Sequence, residues 1–579
     1  MNPERLLAHF ETISEAPDAI ARLRRFILDL AVRGKLVEQD PEDEPAEGLL
    51  KARSLDSSPP KGRRTAASSS SVIVTEGSFE VPDSWVWTLL GVIGDWGSGS
   101  TPPRGRHEYY GGDISWFKSG ELNDNKCLSD SEEKITRLAL EQCSFRQNKP
   151  GDVLIAMYGA TIGRLAILAE EAVTNQAVCA CTPYWGVDTE YLFLFLLAKR
   201  DDFRLASEGG AQPNISKVKI VNTAIPLPPL AEQHRIVAKV DELMALCNQL
   251  EAVRQQREQC RERLMAATLQ RLNQPAEDTA SFRNDARFAL QVLPSLTTTP
   301  AQIKQLRQTI LNLAVRGKLV EQDPEDEPAL SWLLQRVESN YSRRTRKTVA
   351  TSVEGCQDSS ISVLSENWLW VVLDDLILVM DSGWSPQCED HPRSSIESWG
   401  VLKTTAVQSL FFDDRHHKEL PLNLQPRPQH EAREGDILIT RAGPKNRVGI
   451  SCVIDRIQPR LMISDKIIRL RLAEGLSPWF VALALNAGRS SDAVEDAKSG
   501  MAVMQMNISQ AKLRAVPIPL PPLAEQHRIV AKVDELMALC DQLEQRLNQA
   551  DQQRRRLLEA VLAEALTGPE KALASAGSA

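Results

Sequence analysis

With 579 residues, of which 42% are hydrophobic and 25% charged, the chain has the composition of a soluble globular protein and the length of about three to five domains. No segment is long and apolar enough to span a membrane and residues 1–10 form no export signal, so the sequence predicts a cytoplasmic protein without a membrane partner. The net charge of −9 disfavours a protein that wraps nucleic acid unaided, because Lys and Arg supply most non-specific affinity, although basic residues can still be segregated locally.

The chain contains the same series of segments twice. Residues 30–46, LAVRGKLVEQDPEDEPA, recur letter for letter at 313–329, a shift of 283, and residues 225–247 recur at 518–540, a shift of 293. Matches of this length indicate an internal duplication. The interiors between these blocks share little sequence, so we expect the ends of the two copies to have one shared task and the middles two different ones.

Each copy begins with a helical region and a linker. Ile20, Leu23, Ile27 and Leu30 form an apolar stripe with helical spacing over residues 19–37, and Gly34 is a stop signal. Residues 302–320 repeat the pattern. The following stretches, at 54–71 and 339–360, are rich in Ser or basic residues and are predicted to be linkers.

The middle of each copy predicts a mixed α/β domain. Short β-rich runs such as VLIAM and ILITR alternate with Gly and Pro turns between Trp85 and Ile225 and between Trp368 and Ile518. Helical pieces such as residues 191–199 lie between them. Trp85 and Trp368 are expected to anchor the domain cores.

Each domain is followed by a long predicted helix. Apolar residues at 236, 240, 243, 247 and 250 keep the 4-3-4-3 spacing of a coiled-coil seam, and the second copy extends this spacing to Val561. A helix of about 40 residues is about 60 Å long, so two such helices packed antiparallel are expected to hold the two domains at a fixed separation. The apolar seam over 230–250 is expected to be exposed and to need a partner.

Four motifs resemble those of the specificity subunit of type I restriction-modification systems: SG-x-[ST]-P from Ser98 and Ser382, GD-[VI]-L-I from Gly151 and Gly435, Q-x-N-I-S from Gln212 and Gln505, and IPLPPLAEQHRIV in both copies. The resemblance covers nearly the whole chain in the family's order. It implies two target-recognition domains, each reading one half of a split DNA site. The divergent GDILITRAGPKNRVG of the second copy suggests an unrelated second half-site.

The fold class implied is α+β, with two mixed α/β target-recognition domains separated by two long antiparallel helices in a coiled coil, related by a pseudo-two-fold internal duplication. The predicted organisation is an N-terminal helical region at 1–50, a linker at 51–80, the first target-recognition domain at 81–227, a central long helix at 228–275, a linker and second helical region at 276–337, a linker at 338–363, the second target-recognition domain at 364–520, a C-terminal long helix at 521–567 and a tail at 568–579.

Base recognition requires Arg or Lys for guanine and Asn or Gln for adenine, carried on loops of a rigid scaffold. The candidate DNA contacts of the first domain are Arg104, Arg106, Tyr109, Tyr110, Lys118, Tyr158, Arg164, Gln212, Asn214 and Lys217. Those of the second domain are Lys403, Arg441, Lys445, Asn446, Arg447, Lys466, Gln505 and Asn507. Helix capping is the alternative for Asn214 and Asn507. Contact with phosphate is the commoner expectation for the basic residues.

The start of each long helix is predicted to contact partner subunits through Leu230, Gln233, His234, Leu523, Gln526 and His527. The two histidines have no second His or Cys at ligand spacing, so a partner or packing role is expected for them and no metal site. The resemblance implies double-stranded DNA with a bipartite site, two modification (methyltransferase) subunits and restriction (translocase and endonuclease) subunits as partners. No cofactor is expected in this chain, because S-adenosylmethionine, ATP and Mg belong to the partner subunits.

Catalysis by the chain itself is disfavoured. There is no G-x-x-x-x-G-K-[ST] loop for ATP and no [ND]-P-P-[FY] tetrapeptide for an amino-methyltransferase. Asp113, Glu132 and Lys134 loosely fit the D…E-x-K pattern of metal-dependent nucleases, but the second copy does not repeat it. The other alternative is an assembly scaffold that does not bind DNA, which the net charge favours and the divergent interiors disfavour.

Overall fold

The computed structural model describes residues 15–48, 50, 78–207, 213–274, 279–340, 367–500 and 502–567. The chain divides into two compact units: unit 1 comprises Met1–Arg257 and Asp551–Ala579, and unit 2 comprises Glu258–Ala550. The predicted linker at 54–71 and nearly all of that at 339–360 lie outside the described residues. Among the described residues, no helix is long and apolar enough to cross a membrane.

Unit 1 is built on a five-stranded sheet with strand order β2-β9-β6-β7-β4, a three-stranded sheet β5-β3-β8 and the pair β1-β10. Its elements are α1 (Ala19–Val32), β1 (Val86–Leu89), α2 (Leu90–Ile93), β2 (Gly94–Ser98), β3 (Tyr110–Phe117), β4 (Asn125–Leu128), β5 (Lys134–Ile135), α3 (Arg137–Gln142), β6 (Val153–Ala156), β7 (Leu165–Leu168), β8 (Val173–Thr174), β9 (Val178–Pro183), α4 (Thr189–Ala198), α5 (Arg200–Leu205), α6 (Lys217–Val221), β10 (Ala224–Leu227) and the first part of α7 (Leu230–Asn273).

Unit 2 has a four-stranded sheet β12-β21-β17-β19, a three-stranded sheet β16-β13-β20 and the pairs β11-β23, β14-β15 and β18-β22. Besides the end of α7, its elements are α8 (Thr279–Leu296), α9 (Pro300–Ala314), α10 (Ala329–Asn340), β11 (Leu369–Val372), α11 (Leu373–Leu376), β12 (Ile377–Ser382), β13 (Gly400–Leu402), β14 (Val407–Gln408), β15 (Phe411–Phe412), β16 (His417–Glu419), β17 (Ile437–Thr440), β18 (Ala442–Gly443), β19 (Ser451–Val453), β20 (Leu461–Met462), β21 (Ile467–Leu472), α12 (Pro478–Leu485), α13 (Gly488–Ala497), β22 (Met506–Asn507), α14 (Gln510–Arg514), β23 (Pro517–Leu520) and the first part of α15 (Leu523–Thr567). The end of α15, from Asp551, belongs to unit 1.

These elements confirm the predicted mixed α/β domains, each followed by one long helix. The run VLIAM contains β6 and ILITR contains β17. Both strands are buried along their whole length because each packs its two faces against different apolar clusters. Helix α1 ends at Val32 rather than at residue 37. The cause is Gly34, whose φ of +67° lies in the left-handed region and terminates the helix.

The apolar seam over 230–250 is covered within unit 1, so the expectation that it is exposed was wrong. Ile236, Val240 and Cys247 of α7 are buried in the same cluster as Ile27 of α1. An ion pair between Arg24 and Glu251, 2.6 Å, flanks this packing. In unit 2 the corresponding seam of α15 packs in one cluster with α9 residues in the same way. A short helix that precedes the domain therefore supplies the partner that the heptad pattern required.

The identical sequence blocks contact one another inside unit 1. Trp85 Nε1 donates to Glu232 Oε2 at 2.9 Å, and Gln39 Nε2 donates to Glu232 Oε1 at 2.6 Å. Arg235 forms an ion pair of 2.6 Å with Asp43. These contacts join the QDPEDE segment to the first turns of α7 and to the residue that precedes β1.

Unit 2 repeats the arrangement. Trp368 Nε1 donates to Glu525 Oε2 at 3.0 Å, and Arg528 forms an ion pair of 2.5 Å with Asp326. Part of the identity between the two copies is therefore explained by contacts within each unit, in addition to any shared partner.

Candidate nucleic-acid interface

The SG-x-[ST]-P motif forms a loop that crosses the end of a neighbouring strand at very short range. A Cβ placed on Gly99 would lie 2.0 Å from the carbonyl oxygen of Thr174, and one on Gly383 would lie 1.7 Å from that of Ile463. A side chain at either position would overlap the backbone. The glycine of this motif is thus required by the close approach of two backbones, and the loop that follows it is fixed in place.

Three of the recognised motifs converge on one turn in unit 1. The SG loop donates a hydrogen bond from Ser100 N to Thr174 O, 2.9 Å, just before the turn at residues 175–177. Met157, at the tip that follows the GD strand β6, donates from its N to Ala177 O, 2.8 Å. Ile215, of the Q-x-N-I-S segment, donates from its N to Met157 O, 2.9 Å.

Unit 2 has the same convergence. Trp384 N donates to Ile463 O at 3.1 Å, Arg441 N to Lys466 O at 2.8 Å and Ile508 N to Arg441 O at 2.9 Å. Motifs that lie far apart in the sequence thus form one surface in each unit. We call these two surfaces the motif faces.

The GD dipeptide itself is structural. Gly151 and Gly435 have φ values of +88° and +83°, and the buried Asp152 and Asp436 each accept a hydrogen bond of 3.0 Å from the backbone nitrogen three residues earlier. Burial raises the pKa of Asp152. This turn positions the strand whose far end reaches the motif face.

Arg104 is the best-organised of the predicted contacts in unit 1. Its guanidinium lies 5.0 Å from the ring centre of Tyr110 and 5.4 Å from that of Trp116, and it forms an ion pair of 2.9 Å with Glu133. Lys118 also approaches Glu133, at 3.3 Å. The hydrogen bond from Arg104 keeps the pKa of Glu133 below its usual value. Glu133 and Trp116, which sequence reasoning missed, therefore orient two of the predicted basic residues.

The prediction that Tyr109 contacts DNA was wrong. Its side chain is 4% exposed and its hydroxyl donates to Gln142 Oε1 at 2.8 Å, so it belongs to the core and is not available to DNA. Tyr110 is half-buried and donates its hydroxyl to Pro102 O at 2.7 Å, which holds the loop that carries Arg104. Arg106 is exposed and donates to the Tyr109 hydroxyl at 3.1 Å.

The other predicted residues of unit 1 lie around the tip after β6. Tyr158 is 42% exposed and pairs by a β-bridge with Asn214, which is also exposed. Arg164 donates to Asn123 Oδ1 at 3.0 Å, and Lys217 is exposed at the start of α6. Gln212 lies outside the described residues.

The capping alternative for the two asparagines was wrong. Ser216 caps α6 by accepting from Lys219 N, and Ser509 caps α14 by accepting from Lys512 N. Asn214 and Asn507 precede these caps by two residues and stay exposed. Both remain candidates for contact with a ligand.

In unit 2, the prediction that Arg447 contacts DNA was wrong. Its guanidinium donates to Gln408 Oε1 at 2.8 Å and to the carbonyl oxygens of Thr404 and Val407 at 3.0 and 2.9 Å, so it holds the β14 loop in place. The remaining candidates keep surface exposure to different extents: Arg441 and Lys403 are half-buried, whereas Lys445, Asn446, Lys466, Gln505 and Asn507 are exposed. Lys445 forms an ion pair of 3.2 Å with Glu495.

Gln233 and Gln526, predicted to contact partners, are structural instead. Both are fully buried. Gln233 Oε1 accepts from Asp188 N at 2.7 Å and its Nε2 donates to Gly186 O at 3.1 Å, while Gln526 Oε1 accepts from Ser477 N at 3.1 Å. Each glutamine thus joins the long helix to the loop before the apolar helix of its domain.

The other predicted partner contacts are accessible. His234 and His527 are exposed, and Leu230 and Leu523 are half-buried. Leu230 and His234 line a surface groove of about 360 Å³ with Glu44, Ala231 and Trp185, whose side chain is 76% exposed.

The residues of the nuclease pattern have other contacts. Glu132 approaches Lys118 at 3.4 Å and Lys134 forms an ion pair of 3.1 Å with Asp130. Within the described part of the chain, no group of three or more His, Cys, Asp or Glu residues is arranged to hold a metal ion.

Comparison with known proteins agrees with the motifs. The family model for the type I restriction modification DNA specificity domain matches residues 82–258 and 432–550. The type I restriction enzyme EcoEI specificity subunit of Escherichia coli is 35% identical over 94% of both chains, and the EcoAI specificity subunit of the same species is 26% identical over 94% of this chain and 93% of its own. A crystal structure of the HsdS subunit from Thermoanaerobacter tengcongensis is 21% identical, with a TM-score of 0.42 over 86% of this chain and 100% of that chain. Since 35% identity extends over nearly the full length of both proteins, the chain belongs to the family of type I restriction-modification specificity subunits.

Proposed function

We propose that each unit reads one half of a bipartite DNA site with its motif face, and that the long helices set the distance between the two halves. The observation that carries this proposal is the convergence of the same motifs into one face in both units, with different exposed side chains on it. A shared framework with different exposed residues suits two different half-sites.

The chain itself is proposed to be non-catalytic and to act in the cytoplasm. Methyl transfer, ATP-dependent translocation and cleavage are assigned to partner modification and restriction subunits, which bind S-adenosylmethionine, ATP and Mg. The contribution of this chain is to hold those subunits at one DNA sequence, where the methyltransferase flips the target base.

The motif recognised in cells tests the proposal. DNA from cells that express this chain with its modification subunits is sequenced for methylated bases, and we expect a split motif. Arg104→Ala is expected to relax the sequence requirement in one half and Asn446→Ala in the other, because each removes an exposed side chain from one motif face. Arg283→Ala, an exposed arginine on α8, is the control for loss of charge. Active methylation without a split motif would contradict the proposal and support the alternative of an assembly scaffold that does not bind DNA.

The modification subunits are proposed to dock on exposed residues that are identical in the two copies. Leu246 and Leu539 occupy equivalent positions on α7 and α15, and each is 52% exposed. His234 and His527 are exposed on the first turns of the same helices. Because packing within the units leaves these residues uncovered, the identity of the copies at these positions is explained by a shared partner.

A charge placed on this apolar surface is expected to weaken assembly. The double variant Leu246→Asp, Leu539→Asp is expected to lower the yield of modification subunits that co-purify with the chain by tenfold or more. Burying an unpaired carboxylate costs several kcal/mol, and about 1.4 kcal/mol of lost binding free energy corresponds to a tenfold loss of affinity. Val253→Asp is the matched control, because Val253 is 64% exposed on α7 but is replaced by Arg546 in the second copy. Equal loss of partner with the control would contradict the docking surface.

A further inference from the structure

The turn at the centre of each motif face presents an exposed side chain, at equivalent positions in the two units, that no motif contains. In unit 1, Ser98 of β2 pairs with Cys179 of β9, and in unit 2 its counterpart Ser382 pairs with Ile468 of β21. Positions 179 and 468 are therefore equivalent, which is a shift of 289. The same shift relates Gln176 to Asp465, and both side chains are exposed.

The hydroxyl of the SG-x-[ST]-P motif contacts this side chain in both units. Thr101 Oγ1 donates to Gln176 Oε1, and Ser385 Oγ donates to Asp465 Oδ1. In unit 2 the same hydroxyl also accepts from Asp465 N at 3.2 Å. The motif thus requires Ser or Thr at this position because the hydroxyl orients the side chain at 176 or 465.

The backbone on which these side chains stand is fixed. Val178 N donates to Asn175 O at 3.1 Å, and Ile467 N donates to Ser464 O at 3.1 Å, so each turn is closed by the same hydrogen bond. Asn175 Oδ1 also accepts from Ala177 N at 3.1 Å. A side chain that is held at its base and at its tip loses little conformational entropy on binding, which favours recognition of a ligand edge.

We propose that Gln176 and Asp465 are equivalent base-reading residues of the two units, oriented by Thr101 and Ser385. The amide of Gln176 offers one acceptor and one donor, the pattern that pairs with N6 and N7 of adenine. The carboxylate of Asp465 only accepts and therefore selects the N4 amino group of cytosine. Lys466 and the half-buried Arg441 lie beside Asp465. Their positive charges reduce the repulsion between the Asp465 carboxylate and the DNA phosphates. This inference rests on the proposed function, because it names the contacts within the two motif faces.

Methylation sequencing with single substitutions tests the inference. Gln176→Ala is expected to relax one A·T position in one half of the motif by about fivefold to 150-fold, the range for one bidentate base contact, with the other half unchanged. Asp465→Ala is expected to relax one G·C position in the other half. Thr101→Val is expected to relax the same position as Gln176→Ala, and Thr101→Ser to restore it. Gln256→Ala, an exposed glutamine on α7, is the control and is expected to leave the motif unchanged.

The outcomes separate this inference from the proposed function. If the wild-type complex methylates without a split motif, the proposed function fails. If the split motif is present but stays unchanged at every position in both Gln176→Ala and Asp465→Ala, only the base-reading assignment is overturned. A uniform fall in DNA affinity with an unchanged motif, measured by fluorescence anisotropy of the purified complex, would show phosphate contact and would also overturn it.

Discussion

Replacing Gly383 by Ala is expected to abolish recognition of the half-site read by unit 2 and to leave the other half-site intact. The new Cβ would lie 1.7 Å from Ile463 O, so the loop must move away from the turn that carries Asp465. Overpacking of this kind costs about 1–3 kcal/mol or more, and the neighbour here is backbone, which cannot rotate away. The displaced loop also removes the Ser385 hydroxyl from Asp465.

The reciprocal variant makes the test specific. Gly99→Ala, with its Cβ 2.0 Å from Thr174 O, is expected to abolish recognition of the other half-site. Gly105→Ala is the matched control, because it lies on the same loop of unit 1 and its Cβ would meet no atom within 4 Å. The measurements are binding of DNA probes with either half-site scrambled and thermal unfolding of each variant. Unchanged binding by Gly383→Ala would show that the loop is not part of the interface.

Much of this architecture was predictable because the sequence carries it twice. The repeated blocks predicted two equivalent units, and the strand and helix periodicities predicted β6, β17, α4 and the long helices. The sequence also predicts tight turns at Gly159 and Gly443. This prediction is confirmed for Gly159, which begins a 3-10 turn with a φ of +62°, and is wrong for Gly443, which lies in strand β18 with a φ of +150°. Trp85 and Trp368, 4% and 7% exposed, anchor cores as expected.

The errors concern residues whose surroundings come from distant parts of the chain. Tyr109 and Arg447 have the chemistry of DNA contacts, but their partners, Gln142 and the β14 loop, are set by tertiary packing. Gln233 was chosen because it lies in an identical block, and its burial against Gly186 and Asp188 is a long-range contact. Identity between copies does not distinguish a buried hydrogen bond from a shared binding surface.

Gln176 and Asp465 were missed for a related reason. The two residues differ. The surrounding sequences, TNQAVC at 174–179 and ISDKII at 463–468, align only once the pairing of β9 with β2 and of β21 with β12 gives the shift of 289. A signal was available, because the Ser or Thr of the SG motif needed a partner. Only the fold shows which residue that partner is.

Glu232→Ala is expected to destabilise unit 1 by roughly 1–3 kcal/mol and to lower the yield of folded chain. Glu232 is 1% exposed and accepts hydrogen bonds from Trp85 at 2.9 Å and Gln39 at 2.6 Å. Removing it leaves the buried Trp85 indole N–H without an acceptor, at about 1–3 kcal/mol, whereas the exposed Gln39 amide can hydrogen-bond to water. Glu525→Ala is expected to act similarly in unit 2, where Trp368 loses its acceptor. Chemical denaturation followed by tryptophan fluorescence measures both, and a loss below about 0.5 kcal/mol, typical of surface substitutions, would contradict the role of this contact.

Glu232→Gln separates the hydrogen bonds from the charge. Burial raises the pKa of Glu232 and of Glu525, so the folded state disfavours ionisation of these carboxyls relative to the unfolded chain. A raised folded-state pKa contributes stability at low pH that is lost as pH rises from the unfolded value, about 4.3, through the folded value. Glutamine keeps an acceptor for Trp85 and does not ionise. The stability of the wild type relative to Glu232→Gln is therefore expected to rise as pH is lowered through the folded pKa toward the unfolded value of about 4.3, whereas the penalty of Glu232→Ala persists throughout. A difference between wild type and Glu232→Gln that does not change with pH would show that the carboxyl has the same ionisation in the folded and unfolded chain.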